Sequence, residues 1–239
     1  MINVGIIGYG KMGRIRHQVI SSIKNAQVDS VYDPANIITE IEKVQSPDQI
    51  IKNPKIDAVF ICTPNYLNKP LTIQILQTGK HVFCEKPPAF TAEDVEKIRT
   101  VEKESGKVLM YGFNHRYHES VQDALQILRS GELGGVINMR GTYGKAKLIT
   151  FNQPDWRTKR EIAGGGVLLD QGIHMVTQFG NTLFCVLTPS TDLKPKRFTD
   201  HCDCKSAGLF SKLCYYWYSS RSGTTAHACR QEYHIRTLN

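Results

Sequence analysis

The sequence predicts an α/β protein whose first half is a doubly wound parallel sheet, and three observations carry that expectation. A β-branched apolar run, Ile2–Ile7, breaks into Gly8-Tyr9-Gly10-Lys11-Met12-Gly13, and a helix-compatible stretch follows to Lys24. Apolar strand-like runs then alternate with helical stretches through residue 113. Each run closes on polar or turn-forming residues, as parallel strands do where they feed ligand-binding loops.

The elements follow in order. In the glycine turn, Gly8 permits the sharp exit from the strand and Gly10 allows close approach to a pyrophosphate. Gly13 lets the helix pack on the strand, so the free N–H groups of its first turn face an anion. A glycine turn of an unrelated α/β protein is the competing reading. Val28–Tyr32 is the second strand and ends at Asp33, twenty residues past Gly13. An acid there can accept hydrogen bonds from a ribose diol and repels a 2′-phosphate, which favours NAD over NADP. Pro34 stops that strand, and Ile37–Val44 reads as a short helix. Ile56–Cys62 is almost continuously apolar, as expected of a strand buried on both faces, and ends in Thr63-Pro64-Asn65. Lys69–Gln77 is helical and closed by Gly79. His81–Cys84 is the next strand, ending in Glu85-Lys86-Pro87-Pro88. Thr91 caps a helix from Ala92 to about Glu104, with Asp94 three residues on, and Lys107–Phe113 is a further strand.

Beyond residue 115 the pattern changes. Glu119–Ser130 is an amphipathic helix with Val121, Leu125 and Leu128 on one face, ended by Gly131. Gly135–Tyr143 alternates like a half-buried strand. Residues 144–163 are polar and loop-like, and Gly164-Gly165-Gly166 leads into a helix over Leu168–Phe179.

Composition excludes several classes. The 239 residues are 41% hydrophobic and 22% charged, in keeping with a soluble globular protein. No run approaches the ~18 apolar residues of a membrane span, and Met1–Ile7 lacks a signal-peptide layout, so the expected setting is cytoplasmic with no membrane partner. Half of the +8 net charge comes from residues 181 onward, where eight Lys/Arg face four Asp/Glu. No basic stripe or basic–aromatic alternation accompanies it, so no nucleic-acid partner is expected. Cys62 and Cys84 lie in apolar runs and read as inert thiols.

Several side chains have chemistry to offer. Asp170 and His174 stand at i and i+4 on one helix face. A histidine can take a hydroxyl proton, and a carboxylate one turn away can orient it; a helix-surface pair is the plain alternative. Lys86 ends a buried strand beside the glycine turn and can favour negative charge developing on a substrate oxygen. An exposed strand-end lysine is its alternative.

Together, Gly8–Gly13, Thr63-Pro64-Asn65, Glu85-Lys86-Pro87, Gly112-Phe113-Asn114-His115-Arg116 and Gly164-Gly165-Gly166 with Asp170-x-Gly172-x-His174 resemble the Gfo/Idh/MocA oxidoreductases. The resemblance runs to about residue 178. It implies a Rossmann domain over residues 1–115 and part of an α+β substrate domain over 116–180. It implies Lys86, Asp170 and His174 as the catalytic set, with His174 as base. The nucleotide site it implies comprises Gly8, Gly10, Lys11, Met12, Gly13, Asp33, Thr63, Pro64, Asn65, Glu85, Lys86 and Asn114. Arg116, Trp156 and Arg157 are implied substrate neighbours, although Trp156-Arg157 also reads as a loop aromatic with a solvated arginine. The expected activity is hydride transfer between NAD(P) and a hydroxyl or keto carbon of a sugar, sugar nucleotide or polyol. The alternative is a dinucleotide-binding remnant or redox-sensing regulator without turnover. A cis Lys86–Pro87 bond and a homo-oligomer are further family expectations. Asn68 stands where many relatives carry histidine.

Residues 181–239 depart from this pattern. They hold Cys185, Cys202, Cys204, Cys214 and Cys229 and show no sustained period from Lys194 onward. A zinc site from His201, Cys202, Cys204, Cys214, His227 and Cys229 lacks paired C-x₂₋₄-C hooks, so no metal is expected. Disulfides conflict with a cytoplasmic setting. The favoured reading is a tail out of frame with its parent gene, which leaves the second sheet incomplete and Gly135–Tyr143 without partners.

Overall fold

The computed structural model describes residues 1–35, 38–145, 156–187 and 229–238. Six parallel strands form its main sheet: β1 (Ile2–Ile7), β2 (Ala26–Tyr32), β3 (Glu42–Lys43), β4 (Ala58–Ile61), β5 (His81–Cys84) and β6 (Leu109–Tyr111). Their spatial order is β3-β2-β1-β4-β5-β6. Order reverses between β1 and β4, and that switch point opens a crevice beyond the carboxyl ends of the strands. Helices α1 (Lys11–Ser21), α2 (Pro47–Lys52), α3 (Asn68–Gln77) and α4 (Ala92–Ser105) make the crossovers.

The period-2 alternation of the strands splits the core in two. Val4, Ile6, Ala58, Phe60 and Phe83 face one layer of helices, while Ile7, Val59, Ile61, Val82 and Cys84 face the other. All four residues of β4 are buried, as its unbroken apolar sequence predicts. Phe60 and Phe83 stack at 4.8 Å across neighbouring strands. Each such side chain contributes about 1.5–3 kcal/mol by leaving water. The Thr91 cap is present, its Oγ1 accepting from the Asp94 N–H at 3.2 Å.

The short helix expected over Ile37–Val44 is not formed: the described part of that segment is irregular and bent up to β3. Ser30 and Val31 draw Glu42 and Lys43 alongside as an edge strand, and the Val44 N–H donates to the Val31 carbonyl. The helix begins later, at α2, whose start Pro47 and the Gln49 carboxamide secure. Gln49 Oε1 accepts from the Gln45 and Ser46 N–H groups.

After β6, a 3₁₀ turn over Asn114–Tyr117 leads to α5 (Glu119–Ser130), which buries Val121, Leu125 and Leu128 as expected. β7 runs over Gly135–Lys145, and residues 146–155 of the expected loop lie outside the described residues. The rest of that segment is more ordered than its polar sequence suggests, with a 3₁₀ turn at Trp156–Thr158 and α6 at Arg160–Ala163. The helix expected at Leu168–Phe179 is a π-helical turn, Leu168–Gly172, continuing into α7 (Ile173–Leu187). No described helix is long and apolar enough to cross a membrane.

The expectation that β7 lacks a partner is corrected. β8 (Cys229–Leu238) pairs with it antiparallel from Gly135↔Leu238 to Lys145↔Cys229. The sequence of β8 has a period of 2 that the tail's overall irregularity conceals: Arg230, Glu232, His234 and Arg236 alternate with Gln231, Tyr233, Ile235 and Thr237. Residues 181–187 of the tail complete α7, and residues 188–228, including Cys202, Cys204, Cys214, His201 and His227, lie outside the described residues. No group of three or more potential metal ligands occurs among the described residues.

Candidate active site

The glycine turn leaves its backbone open to close approach, so it could receive an anion. Gly8 has φ +91°, which only glycine adopts freely, and a Cβ there would lie 2.6 Å from the Cys62 carbonyl oxygen. A Cβ at Gly13 would collide with the Gly8 carbonyl. At Gly10 nothing lies within 4 Å of where a Cβ would stand. Gly10 is the N-cap of α1, and no side chain caps the first turn, so the amides of Lys11, Met12 and Gly13 keep the polarity that a diphosphate needs. Asp33 sits beside them, its Oδ2 accepting from the Tyr9 N–H at 2.7 Å and its Oδ1 from Ala35 N–H at 2.9 Å. The acid at the end of β2 is thereby locked to the glycine turn, a place from which it could accept from a ribose diol.

Lys86, Asp170 and His174 are brought together, but not in the arrangement that i, i+4 spacing suggests. The π-helical turn over Leu168–Gly172 carries one extra residue per turn. Its Asp170 side chain meets Lys86, whose Nζ lies 2.5 Å from Asp170 Oδ1 and 2.5 Å from the Asp170 carbonyl oxygen, while the Asp170 charge still acts on His174. Gln171 Nε2 donates to Asp170 Oδ2 at 2.7 Å. Burial works to raise the Asp170 carboxyl, but the Lys86 hydrogen bond and charge, helped by Gln171 and Arg157, hold it below the usual range. An ammonium has three donors. With two given to Asp170, the third is available for a substrate oxygen.

His174 is 4% exposed, and its Nδ1 is buried with no hydrogen-bond partner among the described residues. The His115 ring stacks on it at 4.0 Å and 17°, and Phe113 meets it edge-on at 6.2 Å. Burial first, then the neighbouring His115 and Lys86, push the His174 imidazole down to about 3, against a smaller upward pull from Asp170. His115 falls to about 4, through burial and then Lys86 and His118. His174 is therefore neutral at ordinary pH, the form that accepts a proton. His115 escaped the sequence reading as a site residue; its place in Gly112-Phe113-Asn114-His115-Arg116 was the available signal.

Other expected site residues are tied into the structure around this pair. Glu85 gives its carboxylate to Arg16, with Oε1 at 2.9 Å from Nε and 2.6 Å from Nη2. Arg16 is fully buried and lies 4.6 Å over the Phe83 ring. Gly112 makes room for this carboxylate, since a Cβ there would stand 2.6 Å from Glu85 Oε2. Asn65 turns to the second half of the chain, its Nδ2 donating to the Ala163 carbonyl at 2.9 Å. Asn68, also fully buried, donates to the carbonyls of Glu85 at 3.1 Å and Pro87 at 2.8 Å. It bridges the backbone on both sides of Lys86, a role that its departure from the family histidine did not reveal. The Lys86–Pro87 bond is cis. Thr63 and Pro64 are half-buried at the crevice, as are Asn114 and Arg116 in the 3₁₀ turn after β6. Arg157 stacks on the Trp156 ring at 4.5 Å and lies near enough to act on Asp170. Burial pushes the Cys62 and Cys84 thiols well up, in keeping with inert roles.

Comparison with known proteins agrees with this geometry. Residues 2–113 match the model of an oxidoreductase family with an NAD-binding Rossmann fold, and residues 121–183 match the GFO/IDH/MocA C-terminal domain. The chain is 31% identical over 174 residues to 2,7-anhydro-N-acetylneuraminate hydratase of Escherichia coli, covering 69% of this chain and 45% of the relative. It is 32% identical over 186 residues to D-glucoside 3-dehydrogenase of the same organism, covering 73% and 52%. A levoglucosan dehydrogenase solved in complex with NADH superposes with a TM-score of 0.67 at 27% identity, covering 74% of this chain and 52% of that one. The chain thus spans about half the length of the curated relatives it matches. With the motifs, the sheet order and both family models in agreement, the chain belongs to the Gfo/Idh/MocA oxidoreductase family.

Proposed function

We propose that this chain carries the nucleotide site and the proton-handling set of a dehydrogenase that acts on a hydroxyl carbon of a sugar or polyol, with NAD preferred to NADP. The carrying observation is the Lys86–Asp170 pair at 2.5 Å, set at the carboxyl end of β5 beside a neutral His174. Asp170 fixes the ammonium, which offers its remaining donor to the substrate oxygen and favours negative charge there. His174 accepts the hydroxyl proton. The bound nicotinamide would supply the hydride acceptor, a chemistry that belongs to the cofactor. Gly8, Gly10 and Gly13 would hold the diphosphate with the first-turn amides, and Asp33 the adenosine ribose.

Support for the sugar class comes from relatives named as levoglucosan, D-glucoside and glucose-6-phosphate dehydrogenases. One relative is named as NADP-dependent, a scyllo-inositol 2-dehydrogenase; the preference for NAD rests on the Asp33 carboxylate. The test is reduction of NAD⁺, followed by nicotinamide absorbance, over a panel of levoglucosan, a glucoside, glucose 6-phosphate and scyllo-inositol. Turnover that Lys86→Ala abolishes while nucleotide binding persists supports the reading. NAD⁺ binding without reduction by any member of the panel refutes it in favour of a binding-only role.

A further inference from the structure

Beside the turn that carries Asp170 lies an open cleft of about 410 Å³, lined by Arg157, Thr158, Arg160, Gly165 and Gly166. Its position ties it to the chemistry. The Gly166 carbonyl accepts the Asp170 N–H at 3.1 Å, so one wall of the cavity is the start of the turn that carries Asp170. On the other side Arg157 is held against the Trp156 ring at 4.5 Å, which restrains its planar fork.

The lining chemistry is unsuited to an uncharged sugar. Hydroxyl groups are commonly held by carboxylates and carboxamides, which can both accept and orient; here two guanidinium groups and a threonine hydroxyl dominate, and no acid among the described residues lines the cleft. Arg160 forms no ion pair with an acid among the described residues. Two guanidinium forks around one space match the paired oxygens of a carboxylate or phosphate. Gly165 and Gly166 keep the floor free of side chains, so such a group can approach the backbone.

We infer that this cavity is an oxyanion subsite, and that the ligand brought to Lys86 and His174 is a sugar bearing a carboxylate or phosphate group seated between Arg157 and Arg160. The inference rests on the function proposed above and narrows its substrate class. It also gives the 156–166 segment a purpose that the glycine motif alone does not: its arginines anchor the far end of the sugar while the hydroxyl to be oxidised lies at Lys86.

The test measures binding, not turnover. The full chain, saturated with NADH, is titrated calorimetrically at low salt with D-glucuronate, glucose 6-phosphate, D-glucose and inorganic phosphate. Charge-assisted hydrogen bonds are worth about 1.5–3 kcal/mol, so at least one anionic sugar binds about tenfold or more tighter than glucose. Arg157→Gln and Arg160→Gln, both at exposed positions, each remove most of that preference and leave NADH affinity unchanged. The two anionic sugars separate carboxylate from phosphate as the preferred group. Equal binding of glucose and both anionic sugars overturns the inference, and so does a preference that survives both substitutions. Inorganic phosphate binding as tightly as glucose 6-phosphate overturns it too, since the cavity then holds an anion but not a sugar. An anionic sugar held by the two arginines but never oxidised leaves the subsite standing and removes the dehydrogenase reading.

Discussion

The buried pair between Arg16 and Glu85 allows the sharpest test of how this site is supported. Arg16→Met keeps the length and apolar stem of the side chain but deletes the guanidinium. The Arg16 side chain is fully buried and that of Glu85 is 13% exposed, with contacts of 2.6 and 2.9 Å to one carboxylate oxygen. Removing one partner strands the other charge in a poorly solvated place, which costs about 3–5 kcal/mol. For a chain of this size each kcal/mol lowers the melting midpoint by about 2–4 °C, so a fall on the order of 10 °C is expected. Glu85→Gln alone is also destabilising, because it leaves the guanidinium under-neutralised. Urea unfolding of wild type, both single variants and the double variant gives the coupling directly. The double variant should lose less than the sum of the singles, by about 0.5–3 kcal/mol. A loss below about 1 kcal/mol for Arg16→Met, or strict additivity, would refute the claim that the pair acts as a buried unit.

Three further outcomes are expected. Asn68→Ala strands the Glu85 and Pro87 carbonyls that bracket Lys86; kcat should fall about tenfold or more by misplacing the ammonium, with the KM for NAD⁺ little changed, and a rise in that KM without a fall in kcat would count against it. His115 and His174 fold in their neutral forms, with values of about 4 and 3 against 6.5 when unfolded, so the unfolded chain binds more protons between those values; stability is therefore complete above about pH 6.5 and falls as pH drops toward 3, by up to about 1.4 kcal/mol per pH unit for each proton. Replacing both by Phe should flatten the acid limb of a stability–pH curve, and an unchanged limb contradicts their burial. Asp33→Ala removes the carboxylate that binds the Tyr9 N–H at 2.7 Å, and thermal shifts should then show NAD⁺ weakened and NADP⁺ strengthened by about tenfold in relative affinity; an unaltered ratio removes Asp33 from discrimination.

Much of the nucleotide half was legible because its signals are local. Gly8–Gly13 must turn a strand into a helix, and the alternation in β1, β4 and β5 assigns each residue to one face of the sheet. Ile37–Val44 was misread because its extension is set by pairing with Val31, a contact that no window of eight residues contains. β8 was missed for a related reason: one paired strand among irregular neighbours raises no signal over a long window. At the site, residue identity was readable and partnership was not. Asp170 and His174 looked like a helical pair, and the π-helical turn in which Asp170 meets Lys86 leaves no mark in the spacing. Nothing local marks Arg16 as buried, since its partner Glu85 lies 69 residues away.

These partnerships bear on how binding and chemistry are divided. The glycine turn and Asp33 are held by β1, β2, α1 and the end of β4, and the two core clusters draw on residues no later than Tyr117. Lys86 is different. Asn68 and Arg16, the latter through Glu85, hold its backbone from within the nucleotide half, but its ammonium is aimed by Asp170 from the turn before α7. Asn65 reaches across to Ala163, joining the same two parts. A change that loosens the 156–187 segment should therefore leave nucleotide affinity intact while releasing Lys86 from its orientation. On the function proposed above, affinity for the nucleotide and competence for turnover should be separable, with the Lys86–Asp170 contact where they join.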